Sequence, residues 1–294
     1  FSNGNINTIN FSGINRNGNF SFSLIRFSST NFEQFFNEAH LSFNQNKPSD
    51  DQHSMIGIRN SSLGTTQFLD FSFTYFKHID ITDSFINEIS YSSVEWFETT
   101  HARPISQSPQ ESAHNLRNIY RQLKLAAEKQ GDRVQALRFK ADEFSFYRQL
   151  LTHKIKGLQG QKEQKQLRRR LWAERFSLWL GSFTNDLGQT WTRPLLQILL
   201  ITLPVYIFIV VEMDPSLTFI PGGNLLLADG FCTLLNQTGV YIQLLNPTHF
   251  LSRIFDSEDY KHIPQSVHWI DGLYRIVLAI YIFQIISAFR KYFK

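Results

Sequence analysis

The side chains able to do chemistry are scattered along this chain. Nine histidines, His40, His53, His78, His101, His114, His153, His249, His262 and His268, show no zincin or other metal-ligand spacing. Cys232 is the sole cysteine, so an internal disulfide and a multi-cysteine metal site are both excluded. In its apolar segment it reads as a small packed side chain rather than a nucleophile. Gly222-Gly223 follows Pro221 and reads as a turn, not a phosphate cradle. Asp142-Glu143 and the group Asp256, Glu258 and Asp259 read as solvated or capping carboxylates, not as a paired acid and base. No catalytic, cofactor or metal site is assigned, and an enzyme is not expected.

What remains is charge and apolar surface, and both are segregated. Residues 1–100 hold 5 basic and 10 acidic side chains, whereas residues 101–211 hold 18 basic and 8 acidic ones. Residues 212–271 hold 2 basic and 7 acidic, and the remainder is basic again with Arg275, Arg290, Lys291 and Lys294. The net charge of +4 is thus a sum of segments suited to different surroundings.

The strongest basic cluster lies in 154–175: Lys154, Lys156, Lys162, Lys165, Arg168, Arg169, Arg170 and Arg175 against Glu163 and Glu174. Behind it Trp172, Phe176, Trp179 and Phe183 follow at spacings of 4, 3 and 4, one aromatic face of a helix. Cations beside such a face suit a bilayer surface, where rings sit at headgroup level and each cation gains about 1 kcal/mol from anionic lipid. Lys/Arg clusters also neutralise nucleic-acid phosphates, but the apolar segments that follow favour lipid over nucleic acid.

Those segments are Leu195 to Val211, seventeen residues without a charge, and Gly272 to Phe289. Pro194 supplies a helix start. Arg275 is placed to snorkel, with Trp269 and Tyr274 as interface anchors. Basic flanks and an acidic loop place both termini in the cytoplasm and 212–271 outside. The loop is dense in Leu but interrupted by Asp229, Asn236, Gln237 and Gln243, as in an interfacial or re-entrant piece.

Upstream of the basic cluster two helical stripes are expected. Ala113, Leu116, Tyr120, Leu123 and Ala127 form the first; Val134, Leu137, Ala141, Phe144 and Leu151 form the second. Gly131 ends the first helix and Asp132, with Gln135 three residues on, caps the next. A helical hairpin over 110–153 is the economical arrangement.

The first hundred residues show a different period. Phe71, Phe76, Ile81, Ile86, Tyr91 and Trp96 stand at unbroken five-residue spacing, each preceded at two residues by Leu69, Thr74, Ile79, Ser84, Ile89 or Val94. Phe22, Phe27 and Phe32, preceded by Phe20, Ile25 and Thr30, repeat the pairing. A period of five fits neither helix nor simple strand alternation; it fits a chain that turns a corner every five residues. The pattern resembles the pentapeptide-repeat family over 1–43 and 63–98. The resemblance implies a right-handed, four-sided parallel β-helix with those nine large residues inside and four repeats per coil. About five coils at ~4.8 Å would give a rod of roughly 24 Å. Residues 44–62 read as a loop that breaks it, and the β-helix, which begins inside a repeat at Phe1, reads as N-terminally incomplete.

Tyr120-Arg121-Gln122-Leu123-Lys124, Asn185-Asp186-Leu187-Gly188, Trp191-Thr192-Arg193-Pro194, Leu245-Asn246-Pro247 and Ala288-Phe289-Arg290-Lys291 resemble the C-terminal half of uncharacterised bacterial membrane proteins that carry N-terminal pentapeptide repeats. That resemblance implies a bacterial inner-membrane protein and supplies no activity. The expected fold is therefore a β-helix, a helical hairpin, a basic interfacial helix over 154–193 and a two-span α-helical domain over 194–294. The favoured function is a membrane-anchored cytoplasmic scaffold for a protein partner yet to be identified, contacting anionic headgroups. An oligomeric channel or membrane-permeabilising effector is the alternative, although Thr238-Gly239-Val240-Tyr241 holds potassium-filter residue types in another order. DNA mimicry is weaker still, because the first hundred residues have so small an acidic excess.

Overall fold

In the computed structural model, residues 1–47, 54–97, 108–159, 164–213, 228–254 and 263–289 are described. The chain divides into two units, Phe1–Leu180 and Gly181–Lys294.

The first unit opens with a parallel β-solenoid of about four turns. Its strands are β1 Ser2–Asn15, β2 Phe20–Asn37, β3 Leu41–Asn44, β4 Met55–Arg59, β5 Gln67–Leu69, β6 His78–Thr82 and β7 Ser90–Ser92. All pair in parallel, in the order β6-β4-β2-β3-β5-β7, with β1 against β2. Register gives the length of a turn. Ser2 lies opposite Ser23 and Phe20 opposite Leu41, 21 residues on; Met55 lies opposite His78 and Gln67 opposite Ser90, 23 residues on. Turns that include 48–53 are longer still, with Ser29 opposite Met55. A turn is thus longer than four five-residue units, so the same stretch of chain closes about four turns instead of five.

Corners explain how such turns close. Asn3, Leu24, Gln45, Asp70 and Ser93 all have positive φ, and the registers stack them in one column. Gln34, Asn60 and Asp83 form a second column of positive φ. Asn and Asp tolerate this left-handed conformation because their short side chains bond locally; Leu24 has no such help. Gly64 is required for another reason: a Cβ there would lie 2.1 Å from the Asn37 carbonyl oxygen.

The interior is stacked aromatic. Phe22, Phe43 and Phe68 lie ring upon ring with centroids 5.4–5.5 Å apart, with the exposed Phe1 stacked on the outer face of Phe22, and Phe11 on Phe32 and Phe73 on Trp96 repeat the motif. Offset stacking adds about 0.5–1.5 kcal/mol per pair beyond area burial. Buried polar residues satisfy the backbone at the bends. Asn37 accepts from Asn15 at 2.8 Å and donates to the Leu63 carbonyl at 3.1 Å. Asn46 accepts from the Ile25 N–H and donates to the Phe22 carbonyl.

Of the nine expected interior residues, Phe22, Phe27, Phe32, Phe71, Phe76, Ile81, Ile86 and Trp96 are buried. Tyr91 is half-buried, its ring edge-on to Trp96 at 5.0 Å. Its hydroxyl reaches Asp132 at 3.3 Å, and burial first, then Asp132, holds the phenol far above its ordinary range. The expected loop at 44–62 is corrected: β4 lies inside it, and Ile56 and Ile58 fill the core between β2 and β6. Only 48–53 of that segment fall outside the described residues. Sequence spacing missed β4 because the chain re-enters the ladder out of phase with a five-residue count.

Helix α1, Pro109–Gln130, is capped by the Ser108 side chain and ends at Gly131 with φ 76°. Helix α2, Arg133–Gly157, is capped by Asp132 accepting from the Gln135 N–H. The first stripe is buried as its spacing predicts. The second is buried only in part: Ala141 and Leu151 are buried, Leu137 and Phe144 are half-buried and Val134 is exposed, while the buried face also takes in Ala136, Phe139, Glu143, Phe146 and Leu150. Glu143 hides that periodicity, since a carboxylate occupies an apolar position; it is compensated by Lys124 of α1 at 2.8 Å. Tyr120 stacks on Phe146 at 5.6 Å, and burial pushes its phenol far above its ordinary range.

The same α1 face closes the solenoid core, and the two share one apolar cluster. Gln122 accepts from the Ile86 N–H at 2.7 Å and donates to the Ser84 carbonyl at 2.9 Å. Eight residues on, Gln130 does the same for the Tyr91 N–H and the Ile89 carbonyl. A solenoid end otherwise presents unpaired ladder groups. Replacing Gln122 with Ala is expected to cost about 1–3 kcal/mol, since it strands one donor and one acceptor. Urea unfolding of the full chain checks this, with Glu128→Ala, on the exposed side of α1, as the silent control.

Candidate functional site

Helix α3 spans Lys165–Asn185. Its Leu, Arg, Glu and Ala residues are strong helix formers, and no Pro interrupts them. Lys154 and Lys156 of the expected basic segment stand instead in the last turn of α2, and Lys162 lies outside the described residues. Arg168, Arg169 and Arg170 are exposed. Trp172, Phe176, Trp179 and Phe183 are 54%, 47%, 46% and 51% exposed. Four large rings left half in water on one stripe are costly for a free surface helix and mark a contact face. Trp172 stacks on Phe176 at 6.5 Å, and Phe176 tilts against Trp179 at 5.6 Å. Helical spacing puts Arg168 and Arg175 on the flank of that stripe.

Between α2 and α3 runs a groove of about 560 Å³, lined by Arg148, Gln149 and Thr152 on one side and Trp172, Arg175, Phe176 and Trp179 on the other. At one wall the Tyr147 hydroxyl donates to Glu174 at 2.6 Å, and the Arg117 guanidinium lies 4.1 Å over the Tyr147 ring. Burial, then the bond to Glu174, holds the Tyr147 phenol above its ordinary range, so it stays a donor.

The second unit holds α4 Thr192–Met213, α5 Ala228–Asn236, α6 Thr238–Leu244, α7 Leu251–Ile254 and α8 Gln265–Phe289. Helices α4 and α8 are each long and apolar enough to cross a membrane, with mean hydropathies of 2.4 and 1.8 in their most apolar windows. They pack through Ile198, Tyr206, Ile209, Tyr274 and Leu278. Before α4, the Asn185 side chain accepts from the Gly188 N–H at 3.0 Å and reaches Gln284 of α8.

A buried polar cluster sits on α8. Asp271 accepts from His249 Nε2 at 2.6 Å through one oxygen and from Arg275 Nη2 at 2.7 Å through the other. His249 Nδ1 lies 2.6 Å from the Asn246 carbonyl. The imidazole is thus held between the Asp271 carboxylate and the Asn246 carbonyl, one at each ring nitrogen. Nearby, the Tyr274 hydroxyl meets Thr202 at 2.7 Å and donates to the Leu244 carbonyl at 3.2 Å. Tyr241 donates to the Leu199 carbonyl at 2.9 Å, beside the carbonyl that Pro204 leaves without its helical donor.

Sequence reasoning missed this cluster. It counted His249 among scattered imidazoles and set Arg275 to snorkel, whereas Arg275 turns to Asp271 in its own helix. The signal was an acid and a base four residues apart in an apolar segment. Thr238-Gly239-Val240-Tyr241 opens helix α6, whose carbonyls are directed along its own axis rather than into a shared ring. Cys232 is exposed. Among the described residues no group of His, Cys, Asp and Glu could hold a metal ion. No protein-family model, curated protein or solved structure matches the chain.

Proposed function

We propose that the chain is a membrane-anchored scaffold of the bacterial pentapeptide-repeat kind, with a right-handed solenoid and a helical hairpin held at the cytoplasmic face of the inner membrane by two spans. The observation that carries it is the pairing of a capped, hydrogen-bonded solenoid with two helices of spanning length and an aromatic, basic helix between them. Solenoids make extended surfaces in which each turn contacts only its neighbours, suited to a protein partner. Parallel crossover connections are almost always right-handed. The charge pattern sets the orientation: basic before α4 and after α8, acidic between. A channel is the second reading, favoured by one observation: ionisable residues buried among apolar helices, as at His249, Asp271 and Arg275, commonly serve transport.

Topology is testable with single thiols. In a Cys232→Ser background, Thr248→Cys should react with a membrane-impermeant reagent in intact cells, and Glu128→Cys only after lysis. Reversed labelling would refute the anchored orientation. Reconstitution in bilayers then separates the two functions: unitary currents favour the channel, whereas silence with a stable stoichiometric partner favours the scaffold.

A further inference from the structure

We propose that the groove between α2 and α3 seats the headgroup of an anionic phospholipid, making this part of the first unit a lipid-selective site and not merely a charged surface. The inference rests on the membrane-anchored reading above.

Arg148 and Arg175 approach the groove from opposite helices, and both are half-buried. A guanidinium drawn partly out of water needs an anionic or hydrogen-bonding partner. The nearby carboxylate is engaged elsewhere: Glu174 accepts from the Tyr147 hydroxyl. Among the described residues neither Arg148 nor Arg175 has an acidic partner. The second cation at this wall, Arg117, is held over the Tyr147 ring. Two arginines therefore line one groove that has no carboxylate in its lining.

The rest of the lining identifies the anion's carrier. Trp172, Phe176 and Trp179 give the groove an apolar bed beneath the two arginines. Free phosphate would satisfy the guanidinium groups but leave three rings in water. A phospholipid satisfies both, its phosphate on the arginines and its glycerol and upper acyl carbons on the rings, which is the level that Trp prefers in a bilayer. Arg168, Arg169 and Arg170, exposed just upstream, add long-range attraction to an anionic leaflet. The chain enters apolar α4 at Thr192, shortly after α3 ends at Asn185.

Full-length protein in a mild detergent, titrated with phosphatidylglycerol or phosphatidylcholine and read by native mass spectrometry, tests this. Wild type should retain phosphatidylglycerol in preference to phosphatidylcholine. Arg148→Gln with Arg175→Gln should weaken that retention at least about tenfold, while Arg168→Gln with Arg169→Gln changes it less than about threefold. Trp172→Ala should weaken both lipids, an effect a phosphate-only site would not show. Equal retention of the two lipids, unchanged retention in the Arg148/Arg175 variant, or displacement by millimolar inorganic phosphate or by RNA would each overturn the proposal. Alkaline carbonate extraction of membranes separates the two levels: protein that stays in the pellet but shows no lipid preference sinks the groove alone. Protein released into the supernatant sinks the anchored reading.

Discussion

Phe76→Asp is expected to unfold the first unit or leave it at the edge of stability. The side chain is fully buried, stacked on Phe71 at 5.7 Å and facing Phe27 at 5.5 Å. Removing a buried phenyl costs about 3–5 kcal/mol, and a carboxylate in the vacated space adds the penalty of an unpaired charge. Against a typical total of about 5–15 kcal/mol, that is most of the margin. Phe76→Leu should cost far less, about 1–2 kcal/mol, because volume is nearly kept. Phe85→Asp is the control: Phe85 is 66% exposed on the same turn and should tolerate the charge. Pulse proteolysis of the full chain across a urea series measures all three. Equal susceptibility of the Phe76→Asp and Phe85→Asp proteins would show that the ring column does not form the core.

The second large effect is expected at Asp271. Replacing it with Ala removes the carboxylate that Arg275 and the deeply buried His249 share, and leaves both side chains without that partner. Breaking a buried pair from one side costs about 3–5 kcal/mol. The partly exposed Arg275 side chain draws some solvent, which places the loss toward the lower end. His249→Gln keeps a donor toward Asp271 and should cost less, and the two substitutions should not add, because they share one network. Denaturant titration of the detergent-solubilised full chain reads the difference. A loss below about 1 kcal/mol for Asp271→Ala would mean that water already fills the site.

Particular residues show where sequence was a sufficient guide. Phe76, Ile81 and Ile86 announced themselves by spacing, because successive sides of the coil each send one large side chain inward. Phe43, Ile56, Ile58 and Phe68 did not. Their positions follow from ladder register over 21 or more residues, and register is a long-range property that no short window contains. Leu24 in the left-handed column runs against its own propensity and is held by neighbours above and below. Val134 looked like core by period yet is exposed, and Glu143 looked like surface by charge yet is buried against a single lysine on the facing helix. The aromatic stripe of α3 was fully legible, because a helix face depends only on local spacing. Its companion arginine on α2 was not, since no count along the chain brings Arg148 to Arg175. Gln122 and His249 stood within stretches singled out by resemblance or chemistry, yet their tasks became visible only with their partners in place.

The glutamine clasp on the last turn also imposes an order on synthesis. A ribosome delivers the whole β-solenoid before Gln122, and Gln130 emerges later still. Until then the Ile86 N–H, the Ser84 carbonyl and the apolar end of the ring stack have no lid. The nascent solenoid must therefore persist with this face raw while the helices are made. Completion is vectorial: a stall or truncation between Trp96 and Gln122 would yield a β-rod that winds but cannot close, with its edge open to neighbouring nascent chains.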